Sequence, residues 1–99
     1  MKKFAYIIMG THYNPETQQA EFETAGGLTA FFTVRNFNEA KERVLKCRDE
    51  GYGVVELCGA FGEERARELI ELTDNELGIG FVVHLPTQSD IFANFFGNA

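Results

Sequence analysis

Three things are scarce in this chain, and each scarcity removes a class of function. No apolar run approaches the ~18 residues that a membrane-spanning helix needs. The opening MKKFAYIIMG has the outline of a secretory signal. Its apolar stretch, Phe4 to Met9, nevertheless stops at Gly10-Thr11-His12, and no small-residue cleavage site follows. A cytoplasmic protein is therefore expected, with no membrane contact. Basic residues are outnumbered, 9 against 15 acidic, giving a net charge of −6. Binding to a phosphate backbone draws its affinity from clustered Lys and Arg, and the only basic cluster is Lys2-Lys3, so no nucleic-acid partner is expected. Two cysteines, Cys47 and Cys58, make no disulfide framework and lack the paired spacing of a zinc site. Both read as free thiols. Gly59-Ala-Phe-Gly62 is not a phosphate-binding fingerprint, and no cofactor is expected.

What the chain does have is hydrophobic mass in a short length. Ninety-nine residues, 44% apolar with ten Phe and three Tyr, suffice for one packed α/β domain over residues 1–99. So many aromatic rings are hard to hide in a core of that size. Self-association into a homo-oligomer is the expected consequence.

Phe4-Ala-Tyr-Ile-Ile-Met9 is β-branched and aromatic and ends at Gly10, which predicts a first, central strand. The polar stretch to Gln19, with Asn14-Pro15, reads as a loop. Residues 19–24 alternate, Ala20, Phe22 and Thr24 against Glu21 and Glu23, as a half-exposed strand does. Gly26-Gly27 then predicts a tight hairpin into a strand over 28–34. With the middle strand antiparallel, the strands at 4–9 and 28–34 point the same way. Phe37, Ala40, Val44 and Cys47 fall three or four apart and predict a helix from Phe37 to Arg48, capped by Asn36 or Asn38 and stopped at Gly51. Glu39 with Arg43 and Glu42 with Lys46 are spaced for i,i+4 ion pairs on its outer face, where solvation accounts for them. A strand at 54–58, a helix over about 63–73 and a strand at 78–85, stopped by Pro86, complete the series. The order β-β-β-α-β-α-β makes a mostly parallel sheet with an N-terminal hairpin. Ser89 or Asp90 caps a short C-terminal helix, and its stripe Ile91, Phe92, Phe95, Phe96 must pack either on its own chain or on another subunit.

Glu56 is the residue that fits this pattern least. A parallel strand covered on both faces is apolar throughout, and an unpaired carboxylate there is unfavourable by several kcal/mol. Either its face meets water, or the carboxylate is paired with Arg35, Arg65 or a histidine beside a pocket. Cys58, followed by Gly59, ends the same strand at the mouth of a helix, where free N–H groups favour a thiolate. The plainer reading makes it a small packing residue, with Glu63 and Glu64 already supplying the first-turn charge. His84 ends the last strand and either makes a structural hydrogen bond or serves as a base.

In open α/β sheets, ligands bind outside the carboxyl ends of the parallel strands. Four such ends, at Thr11-His12, Arg35, Cys58-Gly59 and His84, offer two imidazoles, a guanidinium, a thiol, a hydroxyl and helix N–H groups. This set suggests a pocket for a small polar or anionic ligand lined by Thr11, His12, Arg35, Cys58, Gly59 and His84. A small enzyme using Cys58, or Glu56 with His84, is the alternative. A purely structural subunit joined through the Phe-rich tail is a third. Two His, one Cys and one Glu on four separate elements have no short ligand spacing, and no metal is expected.

The run Glu56-Leu-Cys-Gly-Ala-Phe-Gly62, with Val82-Val-His-Leu-Pro86 and Ala20-Glu-Phe-Glu-Thr24, resembles a family of small bacterial and archaeal proteins classified only as a domain of unknown function. The likeness covers nearly the whole chain. It implies a stand-alone single domain and gives no residue a role.

Overall fold

The structure is a computed structural model that describes residues 1–97. Its elements, in chain order, are β1 (Lys3–Met9), β2 (Ala20–Thr24), β3 (Gly27–Val34), α1 (Phe37–Asp49), β4 (Val54–Leu57), α2 (Gly62–Leu72), β5 (Gly78–Phe81) and α3 (Ser89–Phe96), the last preceded by a 3₁₀ turn at Pro86–Gln88. They form the expected mixed α/β fold around a five-stranded sheet ordered β2-β3-β1-β4-β5. β1 is central and parallel to both β3 and β4, β4 is parallel to β5, and only β2 runs antiparallel, against β3.

The two crossovers, β3-α1-β4 and β4-α2-β5, both step along the sheet in the same direction. Right-handed connections that step the same way leave their helices on the same face. One face is therefore covered and the other is open. The covered face carries Ala5 and Ile7 of β1, Ala30, Phe32 and Val34 of β3, and Val55 and Leu57 of β4. These pack on Ala40, Val44 and Cys47 of α1 and on Ala66 and Leu69 of α2. Each fully buried Ile, Leu or Val here contributes roughly 2 kcal/mol of transfer free energy. The open face carries the alternate residues: Phe4, Tyr6 and Ile8, then Phe31 level with Tyr6, Phe22 level with Thr29, and Glu56 on the other side of Tyr6.

α1 starts one residue after its Asn36 cap, whose Oδ1 accepts the backbone N–H of Glu39 at 2.9 Å. Glu39 returns the favour, accepting the backbone N–H of Arg35 at 2.7 Å, a one-residue variant of the capping box. The i,i+4 pairs expected at Glu39–Arg43 and Glu42–Lys46 are absent from the ion pairs among the described residues. Glu39 instead holds Arg35, and the Arg43 guanidinium lies 4.1 Å over the Phe32 ring. α2 begins at Gly62, which has a φ of 76° and no side-chain cap before it.

Two expectations at the C-terminal end are corrected. β5 stops at Phe81, four residues short of Leu85, because its only neighbour β4 ends at Leu57 and leaves nothing beyond the Val82 N–H to Leu57 carbonyl bond to pair with. Neither Ser89 nor Asp90 caps the last helix: the 3₁₀ turn runs straight into it, Ser89 is its first residue, and Gln88 precedes it without a side-chain cap. No residue of α3 is buried. No helix of the described residues is long and apolar enough to cross a membrane.

Candidate functional site

Because four strands are parallel, the carboxyl ends of β1, β3, β4 and β5 lie along one edge of the sheet. The side chains there do not all meet. A cleft of about 730 Å³ opens at the β1 and β3 ends, between the loop after β1, the last residues of β3 and one flank of α1. Thr11 and Arg35 line it together with Glu16, Glu42, Arg43 and Lys46. The loop wall is fastened internally: the Asn14 N–H donates to Gln18 Oε1 at 2.7 Å, its Oδ1 accepts the Glu16 N–H at 3.0 Å, and the Gln18 N–H donates to the Asn14 carbonyl at 2.9 Å. Thr33 ties that wall to β3 by donating to the Gln18 carbonyl at 2.8 Å. These bonds hold the loop wall in place against β3.

The Arg35 guanidinium donates to Glu39 Oε2 through Nη2 at 2.6 Å and Nε at 3.0 Å, leaving Nη1 without a partner among the described residues. This bond, and then the attraction of the opposite charges, raises the Arg35 pKa; the same contact, joined by the Arg35 backbone N–H, holds the Glu39 carboxyl below its usual range. With those two neutralising each other, Arg43 and Lys46 on α1 are offset by Glu42 on the same helix and by Glu16 on the loop wall. The lining is polar and balanced in charge.

The remaining sequence candidates lie elsewhere. His12 turns its ring to Tyr13, centroids 4.2 Å apart, and is exposed. The Cys58 sulfur accepts the backbone N–H of Met9 at 3.3 Å, so it points towards β1 and not to the α2 N-terminus. Gly59 sits in the turn leading to α2, where a Cβ would come within 3.7 Å of the Val82 carbonyl. The register pairs Leu57 with Phe81, which places Val82, and not His84, level with Cys58. His84 belongs to the C-terminal segment: its ring stacks on Phe92 at 4.1 Å, and its Nε2 lies 3.3 Å from the Ser89 hydroxyl. Cys47 is fully buried under α1, and burial pushes its thiol up to about 11.

Glu56 is exposed on the open face, beside Tyr6 and Gly80. No ion pair to it occurs among the described residues. Partial burial, followed by the charges of Cys58 and Glu56, raises the phenol of Tyr6. From sequence, Tyr6 takes no role of its own, and the α1 flank residues Glu42, Arg43 and Lys46 are assigned to solvation alone. The period-2 alternation of β1, which puts Tyr6 on a face with Phe4 and Ile8, was the available signal for the first. Nothing local distinguishes the second group from a solvated helix surface. Among the described residues no group of three or more His, Cys, Asp or Glu is placed to hold a metal ion.

The family model of DUF6506, a family of unknown function, matches residues 2–97. The chain belongs to this family. Membership covers both the cleft and the open face, and it assigns neither a role. No curated protein and no solved structure matches the chain.

Proposed function

We propose that this DUF6506 domain binds a small polar ligand in the cleft at the carboxyl ends of β1 and β3. The observation that carries the reading is the placement of Thr11, Arg35, Arg43 and Lys46 around a preformed space of about 730 Å³, within the usual range for small-molecule sites. The crevice outside parallel strand ends is where open α/β sheets take their ligands. Balanced lining charge gives a simple anion little net attraction, because Glu16 and Glu42 offset Arg43 and Lys46. A ligand carrying both an anionic group and a cationic or donor group satisfies both signs of charge, the former towards Arg35 and Lys46, the latter towards Glu16 and Glu42. Cys58, Glu56 and His84 take no part in this reading, being directed to other surfaces.

A thermal-shift screen of simple anions, zwitterionic metabolites and neutral polyols tests it. A ligand at a hundred times its dissociation constant stabilises the folded form by about 2.7 kcal/mol. The expected result is a rise in melting temperature with one or more zwitterions that disappears in an Arg35→Ala, Lys46→Ala variant, each protein being compared with its own ligand-free value. Equal increments in both proteins, or none with any compound class, would remove the cleft as the binding site.

A further inference from the structure

The chain leaves two large apolar surfaces uncovered, and they complement each other. The first is the outer half of the open sheet face. Phe22 is 50% exposed and Phe31 38% exposed, and Phe31 bridges Phe22 and Tyr6 with ring centroids 6.2 Å from each. The second is the segment after β5. Val83, Leu85, Ile91, Phe92, Phe95 and Phe96 are all exposed, Phe95 by 81% and Phe96 by 70%. Between Val82 and Gly97 the only formal charge is that of Asp90, apart from His84.

An eight-residue helix has little stability of its own in water, where helices below ~12–15 residues are marginal even with good helix formers. Here α3 packs on the 3₁₀ turn before it and buries none of its residues. The segment stands out from the body as an arm: the radius of gyration is 13.9 Å and the longest extent 40 Å, against a radius of about 13 Å for a compact chain of this length. The aromatic patch lies on β2, β3 and β1, while the arm leaves from β5 at the opposite edge. At ~200 Å² per large side chain, the exposed fractions of the six arm residues offer on the order of 800 Å² of apolar surface. A stable interface takes about 800 Å² from each partner. One arm and one receiving face per chain meet that requirement.

We infer that two copies of this chain exchange C-terminal arms, the α3 of each lying across the Phe22, Phe31 and Tyr6 face of the other. Such an exchange is isologous and closes after two copies. It covers both uncovered surfaces with one contact made twice. Glu56 lies on the β5 side of Tyr6, beside Gly80 and on the far side of Tyr6 from Phe31. The inference is independent of the ligand cleft, which opens at the strand ends and contains no residue of the arm or of the patch.

Molecular mass in solution, measured at micromolar concentration on the full chain, tests the exchange. The wild type is expected at twice the chain mass. Phe95→Asp with Phe96→Asp breaks the arm, and Phe31→Asp breaks the face; each should raise the dissociation constant about 30-fold or more, as loss of a central aromatic contact does. The two variants, folded by circular dichroism, are then mixed in equal amounts. A mixed two-chain species absent from either alone is expected, because one intact arm meets one intact face. Phe22→Asp serves as a second face variant should Phe31→Asp fail to fold. A wild type of one chain mass, a mass above two chains, a dimer that survives both variants, or no mixed species where the wild type is fully paired would each overturn the exchange.

Discussion

Glu39 shows how one side chain can serve a helix end and the lining of a cleft together. Its carboxylate receives the Arg35 guanidinium and the Arg35 backbone N–H, while its own backbone N–H is taken by Asn36. These bonds join the end of β3 to the first turn of α1 and hold Arg35 in the lining of the cleft. The side-chain bond from Arg35, then its backbone bond, hold the Glu39 carboxyl below the ordinary value. A carboxylate whose folded pKa lies below its unfolded one stabilises the fold above the unfolded value, about 4.3, and that contribution is lost as pH falls through the folded value. Glu39→Gln should therefore melt below the wild type at neutral pH, and the gap should close as the pH is lowered through and below 4. Melting curves across that range check this, and a gap that is constant with pH would mean the bond to Arg35 contributes nothing as a charge pair.

At the scale of elements, the hairpin between β2 and β3 has the least freedom. Gly27 has a φ of 133°, and a Cβ built there would fall 2.1 Å from the carbonyl oxygen of Lys2, the group that accepts the Leu28 N–H at 2.8 Å. Gly27→Ala must displace the start of β1 or abandon that bond, at a cost of about 2–4 kcal/mol. Gly51→Ala, at a φ of 86° with nothing within 4 Å, faces only the backbone term, about 1 kcal/mol. Urea unfolding midpoints of the two variants should separate accordingly, and equal shifts would show that the Lys2 contact is not restrictive. Gly26-Gly27 was legible in the sequence for the same reason that it is costly to change: a short turn between alternating strands needs residues without a side chain. The central strand, the antiparallel second strand and both long helices were legible from their periods of two and about 3.6. The open face was not. FAYIIM reads as a strand buried on both sides, and only the direction of successive crossovers, a property of strand order, leaves Phe4, Tyr6 and Ile8 facing outward. The same cause explains Glu56, which looked anomalous only on the assumption of two covered faces. The strand ends share an edge, as the alternation of strands and helices implied, yet register and the early end of β5 carried His84 away from Cys58. Neither is encoded by local pattern.

For the molecule as a whole, the chain divides into a packed body and an uncovered arm. The core is built from β1, β3, β4, β5, α1 and α2, and none of its buried residues follows Leu77. Ending the chain after Val83 removes no core contact and keeps the Val82 N–H bonded to the Leu57 carbonyl. If arms are exchanged, the folded dimer is favoured over unfolded chains by mass action, and the melting temperature of the full chain rises with protein concentration. The shortened chain has lost the arm but not the body, so it should melt at one temperature at all concentrations. At high dilution, where the full chain is dissociated, the two should converge to within a degree or two. Scanning calorimetry over a hundredfold range of concentration separates the cases. Parallel curves for both chains would place the concentration dependence in some other surface. A shortened chain that is already unfolded when dilute would mean that the arm packs on its own body and belongs to the core, leaving the open aromatic face without its occupant.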